Sequence, residues 1–319
     1  MRYTLKSRFQ GTIAGALLGL ELAKDSKLEL IRQAYIEITF SCKSLIAQGK
    51  FDSNSFCAIN QADTPLNQQL NQQVLLNTLF SALPVILFFH EDLSKLRYNL
   101  LEVSRVHSHN LIVRDSVLAI GYTIAQSLNE KLSQSSIFSE IIRFIGETPT
   151  NTPQQLVTVN SLLKQQVSLE QAFTELHKVN TLSNVVAIAF YTFFKSLEDF
   201  CLSVSLNLNG KILSFNNHDY YLSSVMTGAL SGAYNSALGI PISWQIKNLR
   251  HLSAKTGVPE FLQMLKLVDE LLAIWSGVCE FDNQNAKKSK EKDLCNYLPL
   301  LEQSSHLSVY AAPRIIRLR

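Results

Sequence analysis

Apolar residues along this 319-residue chain recur mostly three and four positions apart, the spacing that gathers side chains on one face of an α-helix. The pattern predicts an all-α protein, with helices over 8–24, 27–48, 73–90, 92–106, 111–130, 135–146, 154–166, 168–179, 183–207, 219–238, 243–255 and 259–276. Pro153 and Pro259 fit the first turns of the helices they open, and Ser168 with Gln171 has capping-box spacing. Leu202–Phe215 alternates well enough for a hairpin turning at Asn209-Gly210, with a frayed helix end as the alternative. Residues 52–72 are amide-rich and residues 282–293 are charged without apolar anchors, so both are expected to be loops. The expected organisation is one helical domain over 1–281, a charged linker over 282–293 and a basic, apolar tail over 294–319 that ends AAPRIIRLR.

Two apolar segments are punctuated by small residues four apart. RFQGTIAGALLGLELA carries Gly11, Gly15 and Gly19, and SSVMTGALSGAYNSALGIPISW carries Gly228 and Gly232 with Ala229, Ala233 and Ala237. Each presents a smooth strip where another backbone can approach, at a cost of about 1 kcal/mol per glycine in helix propensity. Such a cost is retained only against a closely packed partner, so the two helices are expected to pack on each other at the centre of the domain.

Hydrophobic residues make up 46% of the chain, enough for a large core. Charged residues are 17%, below the roughly 25% of an average domain, and the surface is polar more through amides than through ions. A net charge of +3, with Lys and Arg scattered, sets nucleic-acid binding aside. Cys42, Cys57, Cys201, Cys279 and Cys295 are odd in number and lack CxxC spacing, which fits reduced thiols in a cytoplasmic protein. The start MRYTLKSR leads into an apolar stretch, but Glu21 and the glycines interrupt it and no small-x-small cleavage site follows. No membrane span is expected: the run Val185–Phe194 ends at Lys195, and Leu79–Phe89 is short and contains Pro84.

The two glycine segments, in this order, resemble those of the ADP-ribosylglycohydrolase family. The opening matches at Arg8, Phe9, Gly11, Gly15 and Gly19, and the closing motif at Gly228, Ala229, Gly232, Ala233, Tyr234, Ile240, Pro241 and Trp244. SLIAQGKFD at Ser44–Asp52, ALPVILFF at Ala82–Phe89 and RVHSHN at Arg105–Asn110 add weaker agreement, so the resemblance spans roughly residues 8–276. It implies an orthogonally packed helical globule with a cleft for two magnesium ions, which releases ADP-ribose from a modified side chain.

Two hard cations need several oxygen ligands, mostly carboxylates. The family's Asp after the third glycine is Leu20 here, and its Thr-Asp-Asp-Thr cluster falls on Arg32, Gln33, Ala34 and Tyr35, with Glu29 the only carboxylate within a short slip. In the run before the closing helix, counting back from Gly228 puts Asp219 at the first aspartate, Tyr221 at the second and Leu222 at the threonine; counting forward puts Lys211 at the first. Asp219 is thus the one candidate for a remnant metal ligand, and a helix N-cap is the preferred role for it. The expected protein is a pseudoenzyme without catalytic residues or cofactor, its family magnesium lost. It is expected to bind a nucleotide-like ligand through His107, His109, Tyr220 and Tyr221, or a protein partner, with the tail as one contact. Two alternatives stand beside it. One is an active hydrolase with a rearranged site built from Asp219, His107, His109 and Glu29 or Glu37, and the other is a ligand-free helical scaffold or assembly factor.

Overall fold

The computed structural model describes residues 3–23, 28–51, 68–176, 182–213, 220–245 and 261–278. Among them every regular element is helical: α1 (Leu5–Leu22), α2 (Leu28–Gln48), α3 (Gln68–Phe89), α4 (Leu93–His107), α5 (Leu111–Leu128), α6 (Ile137–Ile145), α7 (Thr152–Lys164), α8 (Leu169–Leu176), α9 (Leu182–Lys195), α10 (Phe200–Leu213), α11 (Tyr220–Asn235) and α12 (Phe261–Trp275), with a 3₁₀ turn at Ala237–Gly239. The chain divides into two units, Met1–Leu271 and Leu272–Arg319. Of the second, the described part closes α12 with Gly277 at φ +74° and Val278 N–H on the Ala273 carbonyl, a glycine-dependent helix stop. The expected helix over 243–255, Pro259, the 282–293 linker and the tail lie outside the described residues.

At the centre α1 and α11 run antiparallel with their backbones in contact. A Cβ on Gly15 would sit 2.1 Å from the Gly228 carbonyl oxygen, and one on Gly228 would sit 2.1 Å from that of Gly15. Gly11 faces Gly232 in the same way, at 2.4 Å and 2.0 Å, and Gly19 faces the Ser224 carbonyl at 2.2 Å. Each step of four up one helix is a step of four down the other, so the small-residue strips set the register, and a Cβ at any of these five glycines would meet backbone. The helix that begins like a leader is therefore a core element, buried without interruption from Gly11 to Leu20.

The Arg8-Phe9 pair docks the start of α1. Arg8 is buried and donates to the Ser127 carbonyl at 2.7 Å, capping the end of α5, and pairs with Glu130 at 2.5 Å. Phe9 meets the buried His90 ring edge-on at 5.5 Å. Local signals read from the sequence hold elsewhere: Pro153 opens α7, and Ser168 and Gln171 exchange reciprocal bonds of 3.2 and 3.3 Å ahead of α8.

Three expectations are corrected. The single helix over 183–207 is two, because Asp199 accepts from Leu202 N–H at 2.9 Å and starts α10 afresh after the turn at Ser196. The Leu202–Phe215 hairpin is instead helical through Leu213: Phe200, Ser203, Val204 and Asn207 are buried at helical spacing, and that face outweighs the alternation. Helix α3 begins at Gln68, inside the expected 52–72 loop, and its stretch Gln72–Phe89 is long and apolar enough to cross a membrane, although most of it is buried within the protein as a core helix.

Candidate binding site at the end of the glycine seam

Because Gly19 stands against Ser224, residue 20 of α1 and the first turn of α11 lie at one end of the seam. Two positions where the resemblance calls for carboxylates are thereby brought to the same place. One holds Leu20, fully buried, and the other holds Tyr221, half-buried and followed by the fully buried Leu222.

Glu21 follows Leu20 with one carboxylate oxygen buried, while the polar groups between α9, α10 and α11 are neutral and satisfy one another. Asn207 Nδ2 donates to Thr227 Oγ1 at 2.7 Å and to Thr192 Oγ1 at 3.3 Å, while its Oδ1 accepts from Ser223 Oγ at 2.7 Å. Thr192 and Thr227 share a 3.0 Å hydrogen bond, and Thr192 also donates to the Ile188 carbonyl. This network ties α9, α10 and α11 together in the core. Its oxygens are engaged and carry no charge, so the donor set does not fit a pair of divalent cations. Among the described residues no three His, Cys, Asp or Glu side chains are gathered as a metal site requires. Asp219 itself lies outside the described residues, and Lys211 falls within α10 rather than in the approach to α11.

A second polar cluster joins α2, α3 and α4. Ser81 Oγ donates to Glu37 Oε2 at 2.5 Å, Gln33 Nε2 donates to Glu37 Oε1 at 2.7 Å, and His107 Nε2 lies 3.1 Å from Ser81 Oγ and 3.8 Å from Glu37 Oε2. With Ser81 donating to the carboxylate, His107 is the neutral Nε2–H tautomer that donates to Ser81. Burial lowers the His107 pKa to about 4. The composition is that of a hydrolytic triad but the connectivity is not: His107 and Glu37 meet the same hydroxyl, whereas a triad places its acid on the far imidazole nitrogen.

The expected ligand residues lie on two stretches, the end of α4 and the start of α11. His107 ends α4 with its side chain only 6% exposed, while His109 is exposed beyond Ser108, whose backbone is extended. Tyr220 and Tyr221 open α11, with His218 outside the described residues. Tyr234 lies thirteen residues from Tyr221 on the same helix, roughly 20 Å away at 1.5 Å per residue, and packs edge-on to Phe193, while Trp244 packs on Phe200. Tyr234 therefore does not share a cleft with Tyr221. Of the carboxylates proposed for a rearranged site, Glu29 is exposed in the first turn of α2 and Glu37 is buried beside His107. Sequence reasoning missed Ser81 and the Asn207 network, both made of residues far apart in the chain.

Two surface cavities lie elsewhere. One of about 340 Å³ is lined by Leu93, Arg97, Tyr122, Glu140, Arg143 and Phe144, and one of about 190 Å³ by Arg8, Ser127, Glu130, Leu132 and Tyr234. In the first, burial and the Glu140 carboxylate push the Tyr122 phenol up to about 12.

No family model matches the chain, and no curated protein matches it. Among solved structures it is similar to one described as an "ADP-ribosylglycohydrolase-related protein complex", with a TM-score of 0.54 and 14% identity, covering 85% of this chain and 99% of that one. The fold is all-α and ADP-ribosylglycohydrolase-like.

Proposed function

We propose that this protein is a pseudoenzyme on an ADP-ribosylglycohydrolase-like scaffold, working by binding rather than by turnover. The observation that carries the reading is the end of the α1–α11 seam, where Leu20 and the neutral Asn207–Ser223–Thr227–Thr192 network stand in place of carboxylates. A site of that composition cannot offset the charge of two dications. Binding is assigned to a nucleotide-like ligand at Tyr220, Tyr221, His107 and His109, or to a protein partner that uses the 294–319 tail. Incubation of the full chain with ADP-ribosylated protein and magnesium is expected to release no ADP-ribose; release above background that needs magnesium would overturn the reading.

A second reading draws on a specific contact. Glu37 and His107, 3.8 Å apart on a shared serine, supply an acid and a base to a hydrolase with a rearranged site. It requires turnover that disappears in Glu37→Gln, and absence of turnover in the wild-type chain eliminates it.

A further inference from the structure

The larger surface cavity, of about 340 Å³, is walled by the first turns of α4, by α5 and by α6, and belongs to neither the glycine seam nor the Glu37 cluster. Along α4 its Leu93 stands fourteen residues before His107, roughly 20 Å up the helix axis. Helix α6 buries Ile137, Phe138, Ile141 and Ile145, which leaves Glu140, Arg143 and Phe144, at three- and four-residue spacing, to line the cavity. Tyr122 of α5 sets its ring beside that of Phe144, with centroids 5.0 Å apart, and Leu93 adds to this apolar wall. The volume is at the lower end of the range for small-molecule sites.

The charged groups of the lining are not equivalent. Arg97 is committed to the fold: its Nε donates to the Phe144 carbonyl at 2.9 Å and its Nη2 to that of Ile145 at 3.1 Å, capping the end of α6. Glu140 is committed to Tyr122, whose hydroxyl donates to Oε2 at 2.9 Å. Arg143 is exposed and enters no hydrogen bond or ion pair among the described residues. Asp92, ahead of the first turn of α4, is closed on the Ser94 and Lys95 N–H groups and on the Lys95 ammonium at 3.4 Å. Two guanidiniums therefore stand against one carboxylate in the lining, and the excess positive charge is at Arg143, beside an aromatic wall. A guanidinium with its fork open matches a planar carboxylate through two parallel hydrogen bonds. One excess charge balances a monoanion, whereas a phosphate dianion would bring a second negative charge with no partner.

We propose that this cavity binds a small aromatic carboxylate, its ring on Tyr122 and Phe144 and its carboxylate on Arg143. The probe is 2-naphthoate, titrated into the full chain at neutral pH and low salt and followed by saturation-transfer NMR. Saturable binding with a Kd of about 1 mM or tighter is expected. The neutral 2-naphthamide, of the same shape, is expected to bind at least about tenfold more weakly, because it forgoes the charged pair. Arg143→Gln is expected to weaken naphthoate about tenfold and to leave naphthamide unchanged; the side chain is exposed and holds nothing in place, so the variant keeps the fold. Weaker or non-saturable binding of naphthoate to the wild-type chain overturns the proposal. So does naphthamide that binds as tightly as naphthoate, or an Arg143→Gln chain that binds naphthoate as tightly as the wild type. No arm uses magnesium or ADP-ribose, so the outcome is independent of the binding reading above.

Discussion

Arg8 shows how a residue that reads as part of a motif acts as a structural clamp. Its guanidinium neutralises the carbonyl end of α5 and pairs with Glu130, which sits at φ +57° in the left-handed region that glycine usually fills after a helix. Arg8→Ala is expected to cost about 3 kcal/mol in urea unfolding, since it strands buried carbonyls as well as one carboxylate. Glu130→Gly is expected to change stability by less than about 1 kcal/mol, because relief of the backbone strain offsets the lost, partly exposed ion pair.

The buried histidines give a pH dependence whose sign follows from their environment. Burial lowers the pKa of both His107 and His90, so below about pH 6.5 the unfolded chain binds protons that the folded chain refuses. Stability is complete above that pH and is lost as the pH falls from 6.5 toward the His107 value of about 4. The loss attributable to His107 is at most roughly 3 kcal/mol, since the Glu37 carboxylate 3.8 Å away opposes it. His107→Gln keeps a donor for Ser81 and is expected to flatten the slope; an unchanged slope in unfolding series at pH 7, 6 and 5 would count against a buried neutral imidazole.

At the scale of the elements, the glycine seam makes the strongest demand on sequence. An alanine at Gly15 or Gly228 places a methyl group against backbone that cannot turn aside, and either change is expected to cost about 3 kcal/mol or more despite a gain of about 1 kcal/mol in helix propensity. Gly121→Ala is the control, because its Cβ meets the end of the Leu100 side chain, which can rotate, and a cost near 1 kcal/mol is expected in the same denaturant series. The seam was legible in the sequence because its period of four is local. The break at Ser196–Asp199 was not, because Phe194, Leu197, Cys201 and Val204 keep helical spacing across it. The Glu37–Ser81–His107 cluster joins residues 26 and 44 positions apart. Its one visible sign was a carboxylate on the apolar stripe of Ala34, Ile38, Cys42 and Leu45, which a helical-wheel reading of α2 exposes.

For the whole molecule, the fold and the proposed loss of carboxylates belong to one account. The same small-residue seam that identifies the scaffold carries Leu20 and the start of α11 to a single place, and the side chains found there hold that end together through neutral hydrogen bonds. On the proposed reading such a protein is expected to melt at the same temperature in excess magnesium and in EDTA, because the neutral network offers the ion no charged ligand. The most direct test is a calorimetric titration of magnesium into the full chain at neutral pH. The account predicts no tight binding; two ions taken up per chain at micromolar concentration would contradict it.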